Sequence, residues 1–344
     1  MELLDPSTRE YGWVATVIET VSARTGISSG WNGEVWLAAE ELEQRNSSGR
    51  VMSDGALQVH PGLTLDPLRK AYDNDRLSPG ELQATIDAAG VVTHESMHLL
   101  TRSGPGVYFA PDHAIEEYLA DLGTTQEIRH VVGELGLTEQ HPGLRELSIQ
   151  VAYPATELAL DPVTRYLADN DERKLPEIHD RLRTATLTQR CRTLAELAVE
   201  RKLGAHPHAP DVLVPRLEAL QRPAIAGLVE LDTTPGLDPE TVRTKATEAG
   251  TAAIGAIEGL VDEAEGRKEP PFVGIQYDES GLGWDPDQQR WVSAAGGGEL
   301  DTGHLRKFLG GLRRPRRGPE TDQGTSGETR PAHQRRGSRG QSIE

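Results

Sequence analysis

The chain has 344 residues, of which 36% are hydrophobic and 4% aromatic, and it contains one cysteine. This length is enough for one large domain or two modest domains, and a single cysteine excludes both an intramolecular disulfide and a cysteine-rich zinc site. The sequence has no run of about 18 uncharged apolar residues, and its start lacks the basic and apolar segments of a signal peptide. We therefore expect a cytoplasmic protein with no membrane partner.

Charge is distributed unevenly along the chain. Residues 1–302 carry 26 Lys/Arg against 50 Asp/Glu, whereas residues 303–344 carry ten against four. The acidic body repels nucleic acid, so we expect no nucleic-acid partner for it. The last segment, 301–344, is rich in Arg, Gly, Ser and Pro and has too few apolar residues for a core. We expect it to be a disordered basic tail that can bind an anionic partner.

The first 135 residues mix helix and strand patterns, which predicts an α+β domain. Apolar residues at spacings of three and four predict a helix over residues 8–25. The sequence Asp54-Gly55 between two alternating apolar runs is typical of a hairpin. The three predicted strands are at residues 34–37, 49–52 and 56–60.

Two longer helices follow the predicted strands. Ser78 is a suitable N-cap, with Pro79 at the first helical position, and the helical pattern then continues to about Thr101. After a loop of glycine and proline, a second pattern runs from about Asp112 to Val132. These are the helices that carry the candidate functional residues.

Beyond Gly136 the sequence changes to helical patterns alone, which predicts an all-α domain over residues 136–268. Residues 269–300 are predicted to form a small hairpin or extended segment, with apolar stretches at 272–277 and 290–292. The predicted helices of the second domain are at residues 143–168, 175–203, 211–230 and 238–266.

The first of the two longer helices contains His94-Glu95-Ser96-Met97-His98. Residues four apart lie on one face of a helix, so His94 and His98 can bind the same metal ion. Glu95 lies about 100° further round, where it can take a proton from a metal-bound water without being a ligand. Apolar residues surround this helix on most sides, and buried histidines need hydrogen bonds or a metal.

A third ligand is expected from the second of these helices. Ala114, Glu117, Ala120 and Asp121 share a face that is small and acidic. We expect this face to lie against the first helix, with Glu117 on the metal and Asp121 accepting the second ring N–H of a ligand histidine. Glu116, to one side of the face, is an alternative ligand, as is a residue more distant in the sequence.

The pattern H-E-x-x-H, eighteen residues and then E-x-x-x-D resembles the gluzincin metallopeptidases. The spacing between the H-E-x-x-H motif and the following Glu is similar to that of the M1 aminopeptidases, and the spacing from this Glu to the Asp is similar to that of thermolysin-like enzymes. An ImmA/IrrE-like regulatory peptidase is a further relative to consider. The resemblance implies a zincin-like catalytic domain with a small N-terminal sheet and two metal-binding helices. It further implies Zn²⁺ on His94, His98 and Glu117, Glu95 as general base, and a peptide or protein substrate.

Peptide hydrolysis also needs a donor for the oxyanion that forms at the carbonyl. Tyr108, in the loop between the two helices, is the first candidate, followed by His113 and Tyr153. Zincin-like domains place an edge strand before the active helix to pair with an extended peptide, a position that residues 56–60 would fill. The competing hypothesis is a non-catalytic regulatory or structural protein, which predicts a fourth protein ligand on the metal.

Overall fold

The structure is a computed structural model that describes residues 1–44, 47–100, 110–204, 210–264, 266, 282–285 and 290–293. These residues are mostly helical, with a small sheet near the N-terminus, so the predicted α+β class is confirmed. Within these ranges, no helix is both long and apolar enough to cross a membrane. Tyr108, the stretch 272–277 and the tail 301–344 lie outside the described residues.

The N-terminal sheet has four short strands in the spatial order β1-β2-β4-β3. Strand β4 pairs in parallel with β2 and antiparallel with β3. The antiparallel pair is the predicted hairpin, and Gly55 in its turn has a φ of 86°, a conformation that favours glycine. The strands are β1 (Glu2–Leu3), β2 (Val35–Leu37), β3 (Gly49–Val51) and β4 (Leu57–Val59).

The prediction that residues 56–60 form the edge of the sheet is wrong. All three residues of β4 are buried, and the strand lies between β2 and β3. Strand β3 forms the edge instead, with the exposed Arg50 at its centre. The interior position thus holds the strand with Leu57 and Val59, and the edge position holds the strand with the exposed Arg50.

Two helices of the first part, α1 and α4, begin at side-chain caps. Thr8 accepts a hydrogen bond from the backbone of Tyr11 at the start of α1, which ends at Gly26 in the left-handed conformation. Ser78 and Glu81 form a capping box at the start of α4, as expected from Ser78 and Pro79. The helices are α1 (Arg9–Thr25), α2 (Ala39–Glu43), α3 (Asp66–Asp73), α4 (Pro79–Leu99), α5 (Ala110–Glu134) and α6 (Leu137–Gln140).

The described residues from 137 to 264 contain no strand, as predicted, but three of the four predicted helices were too long. Helix breaks fall at residues 185–189 and at Gly227, and residues 147–153 form neither helix nor strand. The helices are α7 (Pro154–Leu167), α8 (Leu175–Thr184), α9 (Arg190–Leu203), α10 (Pro210–Ile225), α11 (Leu228–Thr233) and α12 (Pro239–Ala264). The predicted hairpin pairs β5 (Leu282–Asp285) with β6 (Arg290–Ser293), so its first strand lies after residues 272–277.

Residues 147–153, called here the crossing segment, lie outside any helix or strand and replace the first turns of the predicted helix 143–168. Partly buried residues alternate with exposed ones along this segment, a period of two that is typical of extended chain. Pro154 reinforces it, because proline disfavours the helical conformation in the residue before it. The partly buried residues are Leu147, Ile149, Val151 and Tyr153.

Two hydrophobic clusters organise the fold, and α5 contributes to both. One cluster joins the sheet to α1, α3, α4 and the second half of α5, including Ile128 and Val131. The other joins the first half of α5, including Tyr118 and Leu119, to α7–α12. Helix α5 therefore carries the candidate ligand Glu117 between the sheet-containing part and the helical part of the chain.

Candidate metal centre

Helices α4 and α5 pack side by side and bring the predicted ligands together in the interior. His94, Glu117 and Asp121 are each less than a tenth exposed. A Cβ on Gly123 of α5 would lie 2.8 Å from the sulfur of Met97 on α4, so this glycine permits the close approach of the helices. The small face predicted for α5 also meets α4, since Glu117 and Asp121 both contact His94.

The three candidate ligand atoms form a compact triangle. The Nε2 atom of His94 lies 3.1 Å from both Nε2 of His98 and Oε2 of Glu117, and the latter two atoms are 3.4 Å apart. Ligand atoms bonded tetrahedrally to zinc at about 2.0–2.1 Å would be roughly 3.3 Å from one another. This buried group, called here the ligand group, could therefore bind one metal ion.

Asp121 lies behind His94. Its Oδ1 is 2.9 Å from Nδ1 of His94, and its carboxylate accepts backbone hydrogen bonds from Ala152 at 3.2 Å and Tyr153 at 2.7 Å. A proton held on Nδ1 by this carboxylate leaves the lone pair of Nε2 directed at the other ligands. The position agrees with the role expected for Asp121.

Glu116 lies behind His98 instead of in the ligand triangle. Its Oε1 is 2.8 Å from Nδ1 of His98, and its other oxygen forms an ion pair with Arg190, the first residue of α9. Glu116 was predicted only as an alternative ligand, and Arg190 was not predicted to lie near the site. No local pattern indicates this pair, since its members come from different helices far apart in the sequence.

The candidate oxyanion donors have different surroundings. His113 is 2.8 Å from Oε1 of Glu117, so it contacts the ligand carboxylate from the same helix. The ring of Tyr153 stacks on His94, with centroids 5.9 Å apart and planes at 28°. Tyr108 lies outside the described residues. Tyr153 is therefore the described tyrosine with direct contact to a ligand.

Glu95 is buried beside the edge strand β3. Its carboxylate accepts a hydrogen bond from the backbone N–H of Val51. A Cβ on Gly49 would lie 2.8 Å from Val91 and 2.9 Å from Cγ of Glu95, so glycine lets β3 run directly over α4. These contacts were not predicted from the sequence, although a glycine in a strand is a signal of close approach.

The ligand face of α4 lies between the crossing segment and β3. Gly90 faces the crossing segment, because a Cβ there would be 3.2 Å from Ile149, whereas Val91 and Glu95 face β3. With about 100° between successive residues, His94 and His98 project between these two directions. The ligand atoms are thus bordered by the crossing segment on one side of the helix and by β3 on the other.

The electrostatics of the site favour a positive charge at the ligand group. Burial acts to lower the pKa of His94, but hydrogen bonds to Asp121 and Glu117 outweigh it and raise the pKa to about 9. Burial acts to raise the pKa of Glu117, but the charge of His98 and the hydrogen bonds from His113 and His94 hold it well below its usual range. Without a metal, His94 therefore carries protons on both ring nitrogens at neutral pH and is positively charged.

The second proton on His94 predicts that metal binding is coupled to proton release. A metal ligand must be deprotonated, and with a pKa of about 9 His94 is protonated at pH 7. We expect about one proton to be released per zinc ion bound at pH 7, and the apparent affinity to fall about tenfold per pH unit below pH 9. Isothermal titration calorimetry in buffers of different ionisation enthalpy measures this number. Binding without proton release at pH 7 would contradict the assignment of His94.

The ligand group has three members among the described residues. Residues 101–109, which lie between α4 and α5 in the sequence, contain no His, Cys, Asp or Glu to add a fourth ligand. Comparisons with protein-family models, curated proteins and solved structures found no match to this chain. Its function must therefore be inferred from the chemistry of the site itself.

Proposed function

We propose that this protein is a zinc-dependent metallopeptidase and that residues 1–135 form a zincin-like catalytic domain. The ligand triangle of His94, His98 and Glu117 beside the buried carboxyl of Glu95 carries the proposal. Two imidazoles and a carboxylate suit zinc, and three protein ligands leave a coordination position for water. Zinc in this site would acidify that water and polarise a peptide carbonyl.

Glu95 is the general base in this proposal. Burial raises the pKa of Glu95, while the charges of His98 and His94 partly offset that effect. A carboxyl with a raised pKa is a better proton acceptor, and it can then donate the same proton to the leaving amine. The hydrogen bond from Val51 fixes the orientation of the carboxylate next to the ligand group.

The borders of the site suit an extended peptide. In the β3–β4 pair, Met52 donates to Ala56 and His60 donates to Ser48, so the intervening Gly49 and Val51 turn their backbone groups away from β4. These groups lie at the edge of the sheet, next to Glu95. A substrate strand added at this edge would compete with Glu95 for the N–H of Val51 and with the hydroxyl of Ser47 for the backbone of Gly49. It would present a peptide bond to the ligand face of α4.

Tyr153 is our candidate for the donor to the carbonyl oxygen. Burial and the charges of Glu117 and Glu95 raise its pKa far above the usual range, so the hydroxyl keeps its proton. Removing one oxyanion donor typically costs about 10²–10³ in turnover. We expect Tyr153→Phe to lose activity in this range with unchanged zinc content, measured by steady-state kinetics and metal analysis. The control is Tyr166→Phe, which makes the same change near the end of α7. Full activity of Tyr153→Phe would exclude Tyr153 as the donor.

The activity itself is tested by incubating the zinc-loaded protein with a mixed peptide library and identifying the products by mass spectrometry. We expect cleavage that a chelator abolishes and added zinc restores. If the zinc-loaded protein cleaves no peptide bond, the metallopeptidase proposal fails and the non-catalytic zinc site remains.

A further inference from the structure

We propose that the helical part of the chain completes the metal centre, and that Arg190 is a positioning residue that acts on His98 through Glu116. This inference rests on the metal-binding half of the proposed function and does not require peptide cleavage. It assigns a role in metal binding to the helices beyond residue 135.

The first observation is the chain of contacts from Arg190 to the ligand group. Arg190 and Glu116 are each 3% exposed and form an ion pair. The other oxygen of Glu116 is 2.8 Å from Nδ1 of His98, whose Nε2 is one corner of the ligand triangle. One buried carboxylate therefore joins a residue of α9 to a metal ligand of α4.

The second observation is the docking of α9 on α5. Asp112 lies one helical turn before Glu116 and is fully buried, and it accepts the backbone N–H of Cys191 at 2.9 Å. Asp112 thus binds the first turn of α9, where backbone N–H groups lack partners within the helix. Asp112 and Glu116, on one face of α5, thus bind the start of α9 and fix the position of the Arg190 side chain.

The third observation is that His94 is supported in a parallel way. Asp121, which contacts Nδ1 of His94, is held by the backbone N–H groups of Ala152 and Tyr153. Both ligand histidines are therefore oriented by carboxylates of α5, and both carboxylates are anchored by residues beyond position 135. Neither anchor belongs to the two helices that supply the ligands.

The physical role of Arg190 follows from the geometry of its guanidinium. A planar guanidinium held on one carboxylate oxygen fixes the plane of the carboxylate, so the other oxygen stays directed at His98. A carboxylate on Nδ1 keeps the proton there and leaves Nε2 available to a metal. Loss of Arg190 also leaves the buried charge of Glu116 without its counterion.

The test measures zinc affinity in a set of full-length variants, by competition with a chromogenic chelator at a temperature where circular dichroism shows each to be folded. We expect Arg190→Met to weaken zinc binding about 10- to 100-fold, the usual effect of losing a group behind a ligand. Arg190→Lys keeps the charge but not the planar fork, and should recover part of the affinity. Arg216→Met, which breaks an ion pair with Glu263, is the control and should leave zinc affinity unchanged.

A double-mutant cycle separates positioning from general stabilisation. If Arg190 acts through Glu116, Glu116→Gln should weaken zinc binding, and adding Arg190→Met to it should have little further effect. Wild-type zinc affinity in Arg190→Met, together with a lower melting temperature, would reduce Arg190 to a docking residue and overturn the proposal. If Arg190→Met does not fold, Glu116→Gln with wild-type zinc affinity overturns it instead. Failure of the wild-type protein to bind zinc would refute the metal site itself.

Discussion

Glu95→Gln is expected to lower peptide hydrolysis by about 10²–10⁴, the usual contribution of general acid–base catalysis, while zinc content and melting temperature stay near wild type. The amide has the shape of the carboxylate and retains an oxygen that can accept the hydrogen bond from Val51. It cannot take the proton of the attacking water. The measurement is turnover on a peptide identified in the library, with metal analysis of the same samples.

Glu127→Gln is the matched control for this variant. Glu127 lies on α5 and pairs with Arg24, away from the ligand group, so the same chemical change there should leave turnover unchanged. Equal activity of wild type and Glu95→Gln across a broad library would remove the peptidase proposal and leave only the metal site.

His94→Ala and His98→Ala are each expected to abolish stoichiometric zinc binding. Either change removes one corner of the ligand triangle and leaves two protein ligands. Zinc should stabilise the wild-type protein by about 2.7 kcal/mol when its free concentration is a hundred times the dissociation constant. We expect this stabilisation as a higher melting temperature in differential scanning calorimetry, and we expect both variants to lack it.

The control for the histidine variants is His130→Ala. His130 is exposed on α5 and outside the ligand group, so its loss should change neither zinc content nor the zinc-dependent melting temperature. If His94→Ala or His98→Ala still copurifies with one zinc per chain, the ligand assignment is wrong.

The sequence was sufficient where a structural feature depends on residues close together in the chain. Ser78, Pro79 and Glu81 define the start of α4 through local hydrogen bonds. His94 and His98 share a face because of the helical repeat alone. The step to Glu117 and Asp121 needed only one further assumption, that the small face of α5 meets α4.

Features that depend on pairing between distant segments were not predictable in the same way. The order of β3 and β4 is set by the pairing of β4 with β2, and no local pattern identifies that partner. The role of Glu116 depends on Arg190, which only the docking of α9 brings near. In the crossing segment, large apolar residues alternate with smaller or polar ones, but the segment was assigned to a helix because helical patterns surround it.

We propose that one zinc ion binds His94, His98 and Glu117 and keeps one coordination position for water. A crystal structure of the zinc-loaded protein, with anomalous diffraction collected at the zinc absorption edge, tests this proposal. We predict one peak within bonding distance of Nε2 of both histidines and an oxygen of Glu117, with a water as the fourth ligand. A fourth protein side chain on the metal, or a peak away from these three residues, would contradict the proposal.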